Sequence, residues 1–276
     1  MSLKRFDMQP HISPIGNLTH LGFRAMAPHL RLQNWVQCYW LAQADNLPAP
    51  GFKEMLYPDG GTTLTFCFTP GQLPQIRFEA RLNLSSRVFT GTVNYLGVRF
   101  HPGGAYQLLG RQIGETLGLD IALHDLQLND VAKLQEQLAS HQYNAQRLTL
   151  IENWLLQQEQ HFQAQAGIVQ HLWPRLVQHS ENLHTLIQPY SLSRRQIERK
   201  FQQQVGLSPA QIKLLHNVKA ARKQIADNPQ GALTNIGLDC GFYDQAHFIR
   251  QFRSVTQQTP GQYRARKMSQ KYNSTQ

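Results

Sequence analysis

A chain of 276 residues, 41% of them hydrophobic, is long enough for two domains with cores of their own. No apolar run approaches the ~18 residues a membrane helix needs, and Met1–Pro10 lacks the apolar stretch of a secretory signal, so neither a membrane nor an exported protein is expected. The formal charge of +10 is unevenly placed: residues 181–276 hold 14 Lys+Arg against 5 Asp+Glu, and residues 1–180 hold 13 against 12. An excess confined to the last third predicts a polyanion-binding domain joined to a neutral one.

Along the chain, residues 1–30 read as irregular, punctuated by Pro10, Pro14, Gly16 and Pro28. Asn34–Ala42 reads as a strand carrying Trp35, Val36, Tyr39 and Trp40. Lys53–Tyr57 and Thr62–Phe68 read as two strands of a hairpin joined by Pro58-Asp59-Gly60-Gly61. Ile76–Leu84, Ser86–Thr90 and Tyr95–Phe100 continue the β pattern, with Gly71, Gly91 and Pro102-Gly103-Gly104 between or after them. Short strands at this spacing predict a sandwich or small barrel. Beyond Gly104 the spacing turns helical over Ala105–Gly110, Val131–Ser140, which Asn129-Asp130 would cap, and Arg147–Phe162. The Gln-rich run 157–165 reads as a polar helix face entering a connection. The predicted class is α+β: a β-rich, barrel- or sandwich-like N-terminal domain with helices (residues 1–165), then an all-α domain (residues 166–276) with two helix-turn-helix units.

The last third contains an internal repeat. Ser193, Ile197, Arg199, Phe201, Ser208 and Pro209 match Asp244, Phe248, Arg250, Phe252, Thr259 and Pro260, every pair offset by 51 residues. One register shared by six pairs predicts a duplicated supersecondary unit. In the first copy, Glu181–Gln188 reads as a short helix with Leu183, Leu186 and Ile187 inward, and Pro189–Leu192 as the turn. Ser193 then caps a helix whose Ile197, Phe201 and Val205 lie on one stripe. Arg194, Arg195, Arg199 and Gln202 fall on its polar side, with Glu198 at the edge. Arg can grip guanine through two hydrogen bonds, and Gln can do the same with adenine. The second copy has a short helix over Leu233–Cys240, anchored by Leu233, Ile236 and Leu238, with Gly237 allowing close helix approach and Gly241 ending it. Asp244 caps a helix with Phe248 and Phe252 inward and Ala246, Arg250 and Arg253 outward, Gln245 and His247 lying near its start. Between the units, Ser208-Pro209 opens a helix to about Ala226, roughly 27 Å at 1.5 Å per residue. That length would hold two recognition helices about one DNA turn apart, ~34 Å.

Residues 180–266 resemble the DNA-binding domain of the AraC/XylS family of transcription regulators. The resemblance is carried by Ile236–Phe252 (IGLDCGFYDQAHFIRQF) and Thr259–Arg264 (TPGQYR). It implies seven helices, with base contacts from Arg195, Glu198 and Arg199 in the first unit and from Gln245, Ala246, His247 and Arg250 in the second. Met55–Gly61 and Val98–Ala105 are similar to motifs of an effector-type N-terminal domain found in some members. The implied partners are double-stranded DNA, a small-molecule effector, RNA polymerase and a second copy of the chain; activation and repression of transcription are both compatible with it.

Other readings stand beside these. The arginines could be solvated surface charge; Glu198 could pair with Arg194 or Arg195 instead of accepting from cytosine; His247 could cap its helix or meet phosphate. Asp59 reads as a turn residue rather than a catalytic acid. His101 beside Pro102 lacks the second histidine or carboxylate of a metal site, and no cofactor is expected. Trp35, Tyr39 and Trp40 read as core or dimer contacts rather than a ligand cage. Cys38, Cys67 and Cys240 are far apart and lack CxxC spacing, which fits a reducing, cytoplasmic setting without a disulfide framework. They also speak against an enzyme fused to this domain, such as an alkyl-transfer repair protein with a four-cysteine zinc site. A non-specific nucleoid-binding protein is the remaining alternative, and it would show a steep salt slope without operator preference.

Overall fold

The computed structural model describes residues 21–110, 120–122, 130–178 and 183–273. The reading of residues 1–20 as irregular, and the capping role of Asn129, lie outside them. Among the described residues the N-terminal part is one six-stranded antiparallel sheet. Its strands are β1 (Arg24–Met26), β2 (Val36–Leu56), β3 (Thr62–Cys67), β4 (Gln75–Ala80), β5 (Ser85–Phe100) and β6 (Asp120–Ala122), in the order β1-β2-β5-β3-β4-β6. The segments read separately as Asn34–Ala42 and Lys53–Tyr57 are one strand, β2. Those read as Ser86–Thr90 and Tyr95–Phe100 are likewise one, β5. β2 pairs with β5 on both sides of an irregular stretch between Ala44 and Phe52, where Asn46 (φ 55°) and Gly51 (φ 90°) take left-handed conformations. The hairpin expected across Pro58–Gly61 does not form, because β5 lies between β2 and β3 and pairs with both.

Side chains alternate across a strand, so each strand feeds two faces. Leu64 and Phe66 of β3 and Leu96, Val98 and Phe100 of β5 join Trp35, Val36 and Tyr39 in a core. That core is closed by α1 (Gly104–Leu109), α2 (Val131–Ala139) and α3 (Asn144–His161). Asp130 holds the N-cap position of α2 in a left-handed conformation (φ 61°), but its side chain makes no capping bond. Thr63, Thr65, Tyr95 and Arg99 point to the other face, where Leu21, Ala42, Phe89 and Val93 form a smaller apolar cluster. Trp40 packs against that second cluster, whereas Trp35 and Tyr39 belong to the first.

Seven helices follow among the described residues: α4 (Ile168–Gln178), α5 (Leu183–Ile187), α6 (Arg194–Val205), α7 (Pro209–Asp227), α8 (Leu233–Asp239), α9 (Gln245–Thr256) and α10 (Pro260–Asn273). α7 is the hub, packing against α4, α8, α9 and α10. α4 contributes the buried Val169, Leu172 and Leu176 to the same core as Ile197, Phe201, Phe248 and Phe252.

The two parts share that core. Tyr57, just beyond β2, is buried in it. The Arg222 guanidinium lies 3.3 Å above the Tyr57 ring, Tyr263 meets the ring edge-on at 6.4 Å, and the Tyr57 hydroxyl accepts a 2.9 Å hydrogen bond from Arg266 Nη2. His101 packs against Trp173 with ring centroids 5.0 Å apart. Gly103 (φ 77°) lies so close to α4 that an added Cβ would sit 2.8 Å from Gln170 Nε2 and 3.0 Å from Val169. The two N-terminal motifs singled out in the sequence are therefore the surfaces on which the helical part docks.

Candidate nucleic-acid interface

Each half of the repeat is set by local hydrogen bonding. At α6 the Ser193 hydroxyl accepts from Gln196 N–H and the Gln196 side chain accepts from Ser193 N–H, a reciprocal cap. The same pair recurs at α7 with Ser208 and Gln211. Asp244 caps α9 by accepting from His247 N–H at 2.6 Å. Ile197, Phe201 and Val205 of α6 and Phe248 and Phe252 of α9 are buried as their spacing demands. Gly237 of α8 abuts the Phe248 ring, 2.8 Å from where a Cβ would stand, and Gly241 (φ 82°) turns the chain toward α9. Leu238 departs from expectation: it is 52% exposed and anchors nothing. α8 has only seven residues, so Ile236 and the partly buried Leu233 hold it down and Leu238 rotates outward.

The outer faces hold the predicted site residues. Arg194, Arg195, Arg199 and Gln202 of α6 are exposed, and Glu198 is half-buried. Arg195, Glu198, Arg199 and Gln202 line one open groove. Arg194 Nε donates to Glu198 Oε1 at 2.9 Å, so Glu198 takes Arg194 rather than Arg195 as its partner. Gln202 Nε2 donates to the carbonyl of Gly206 at 3.0 Å, which engages its amide at the end of its own helix. On α9, Gln245, Ala246, Arg250 and Arg253 are exposed. His247 is half-buried and Nδ1 accepts from Tyr243 N–H at 3.3 Å, so the ring helps to cap α9. The 19 residues of α7, about 28 Å of helix, run between the two units.

Other cations of the basic region engage the protein's own groups. Arg222 and Arg266 engage Tyr57, Arg264 Nη1 donates to the Gly231 carbonyl at 3.4 Å, and Lys219 Nζ lies 3.6 Å from Asp59 Oδ2. Sequence reading missed these roles, since each partner lies in another element. Their one local trace was the pairing of Tyr57 and Asp59 within a Gly-rich turn. Among the described residues, no cluster of three or more His, Cys, Asp or Glu side chains could hold a metal ion. No helix among them is long and apolar enough to cross a membrane.

Two capped helices with polar outer faces, each preceded by a short helix and both sharing one core with the long helix α7, define a tandem helix-turn-helix domain. Residues 187–266 match the family described as a helix-turn-helix domain, and residues 24–121 match one described as a domain of unknown function (DUF6597). Residues 187–266 are thus a helix-turn-helix domain, the class that the resemblance implied. An uncharacterized HTH-type transcriptional regulator of Haemophilus influenzae is 30% identical over 87 residues, which are 32% of this chain and 29% of that protein. The chain thus matches less than a third of that relative's length. Among solved structures, ToxT of Vibrio cholerae aligns with 82% of this chain and 97% of its own at 10% identity and a TM-score of 0.38. A structure of unsaturated fatty acid-bound wild-type ToxT aligns with 81% and 90% at 9% identity and a TM-score of 0.36.

Proposed function

We propose that this chain is a cytoplasmic, sequence-specific DNA-binding transcription regulator, with α6 and α9 entering successive major-groove segments on one face of the duplex. The reading rests on one observation: two helices of matching register, one before and one after the 19-residue helix α7 in the chain, expose Arg195 and Arg199, and Arg250 and Arg253. Base contacts fall to Arg195, Arg199, Gln245, Ala246 and Arg250. Arg194 and Arg253 sit at the rim of their helices and serve phosphate. Glu198 and Gln202, already hydrogen-bonded, position their neighbours, and His247 orders the start of α9.

Residues 1–165 form the sensing and self-association domain, and residues 166–276 the DNA-binding one. The N-terminal part offers a cavity on one sheet face, as a sensing domain needs. Contacts with RNA polymerase and a second copy of the chain belong to the same reading.

The test is selection of bound fragments from genomic DNA by the full chain, followed by footprinting. Two protected blocks centred ~10 bp apart are expected. Arg199→Ala and Arg250→Ala should each cost about 1–3 kcal/mol and relax base preference in different blocks. Equal losses on selected and random DNA would reduce both arginines to phosphate contacts and favour the nucleoid-binding alternative.

A further inference from the structure

The two Gly-rich turns of the N-terminal part converge on one end of α6. Beyond Gly206, where α6 ends, Leu207 is buried beside the first turn. A Cβ on Gly60 would stand 3.7 Å from Leu207, 3.5 Å from Ile212 of α7 and 3.9 Å from Pro102 of the second turn. α1, which follows that second turn, packs against α6 itself. The other recognition helix is held differently. α9 packs against α7, α8 and α10, and it reaches the N-terminal part through Tyr263, whose ring meets Phe252 at 5.6 Å and Tyr57 at 6.4 Å.

The junction at Gly103 holds two buried polar atoms that no group of the protein satisfies: Gln170 Nε2 of α4 and Gln204 Oε1 of α6, in residues each 8% exposed. Gln170 Oε1 is committed, accepting from Gly167 N–H at 3.0 Å, and this fixes the amide with Nε2 toward Gly103. The point where a Cβ of residue 103 would stand lies 2.8 Å from Gln170 Nε2 and 3.6 Å from Gln204 Oε1. The two atoms therefore meet at a place that any side chain on residue 103 would fill. An amide N–H and a carbonyl oxygen left unpaired in the interior are costly. One is a donor and the other an acceptor, close together but not bonded to each other. They match the two ends of one water, which accepts from the first and donates to the second.

We propose that a single buried water joins Gln170 Nε2 to Gln204 Oε1 beside Gly103, and that through it Gln204 is a positioning residue for the first DNA-reading unit. The assignment rests on the reading of α6 and α9 as recognition helices and names how the N-terminal part acts on them. Gln204 lies on the buried side of the helix whose outer face exposes Arg195 and Arg199. Fastening that end of α6 to α4 and to the Gly103 turn sets the angle at which those arginines meet DNA. A shift of the turn reaches the block read by α6 directly, and leaves the block read by α9 as it is.

The experiment uses the full chain with its selected two-block DNA, and with the same DNA after either block has been scrambled. Gln204→Met, which keeps the length of the side chain and removes the acceptor, should bind the intact DNA about fivefold more weakly, the equilibrium worth of one ordinary hydrogen bond. With the α6 block scrambled, the variant and the wild type should bind alike. Gln170→Met, on a helix that carries no DNA-reading residue, should show the same selective loss. The double variant should lose no more than the larger single loss, because one bridge is broken once. A crystal structure of the wild type should show a water within hydrogen-bonding distance of both amides. Equal losses whichever block is scrambled, additive losses in the double variant, undiminished binding by Gln204→Met, or a dry junction each overturn the proposal. Should Gln204→Met fail to fold, Gln170→Met and the crystallographic water decide the matter. Wild-type protein that protects no pair of blocks sinks the regulator, whereas two blocks with unselective losses sink only this inference.

Discussion

Replacing Tyr57 by Ala should uncouple the two halves of the molecule. The ring is 5% exposed, yet it belongs to the N-terminal chain and fills the core of the helical domain. Truncating a buried aromatic to Ala costs about 3–5 kcal/mol. The stacked Arg222 guanidinium accounts for about 0.5–2 kcal/mol of that. The hydroxyl's bond from Arg266 accounts for about 1 kcal/mol more. At about 2–4 °C per kcal/mol for a chain of this size, the helical domain's transition should fall by roughly 10 °C. Scanning calorimetry of the full chain is the assay. The wild type should melt in one transition, and Tyr57→Ala in two, because the sheet domain loses no core residue of its own. Tyr57→Phe, which keeps the ring, should stay in one transition and lose only about 1 kcal/mol. A Tyr57→Ala trace that superimposes on the wild type would refute the argument, since the ring would then carry no docking energy.

Other outcomes follow from the same contacts. Burial first, and then Arg99, hold His101 down to about 4, against 6.5 for a free imidazole, so the folded protein keeps it neutral. Its contribution is complete above pH 6.5 and is lost as the pH falls toward 4, up to about 3 kcal/mol, because the unfolded chain takes the proton first. The difference in stability between wild type and His101→Gln should therefore change over that window, and a flat difference would refute it. Phe252→Ala, at 0% exposure between Phe248 and Tyr263, should cost about 3–5 kcal/mol in a denaturant titration and abolish DNA binding above the melting point it lowers. Ser193→Ala should cost about 1 kcal/mol through the lost cap and weaken protection only in the block read by α6. A fragment from residue 166 should fold and bind DNA, whereas one from residue 178 should not, because it discards Val169, Leu172 and Leu176; circular dichroism and footprinting of the two decide it.

What the sequence made legible tracks how local each determinant is. The starts of α6, α7 and α9 were readable because Ser193, Ser208 and Asp244 bond within three residues of themselves. The outward faces of α6 and α9 followed from the buried Ile197, Phe201, Phe248 and Phe252 stripes. That α4 belongs to the helical core shows only in three dimensions, where Val169, Leu172 and Leu176 join Ile197 and Phe201. The placement of Leu238 failed since two helical turns are too few for periodicity to fix a face. The hairpin over Pro58–Gly61 failed for the opposite reason: turn chemistry is local, and pairing is not. Whether β2 meets β3 is decided by β5, some 30 residues further on. Tyr57 and Asp59 could be seen as motif residues, but their partners Arg222, Arg266 and Lys219 stand more than 100 residues away, where no window of sequence connects them.

The burial of Tyr57 also sets a clock on synthesis. Its ring leaves the ribosome 209 residues before Arg266, the last side chain to close over it. At about 5–20 residues per second, the interval is roughly 10–40 s. Once the later strands and α1–α3 have followed, Tyr57, Met55 and Leu84 form an apolar patch on a nascent domain whose own core those helices close. The sheet can fold in that time, and its docking face must stay soluble and unclaimed until α7 and α10 arrive. In the cell, therefore, a chain cut short before α7 would display a sticky tyrosine where the finished protein has an interior, which makes the truncated product a substrate for chaperones and proteases rather than a free sensor domain.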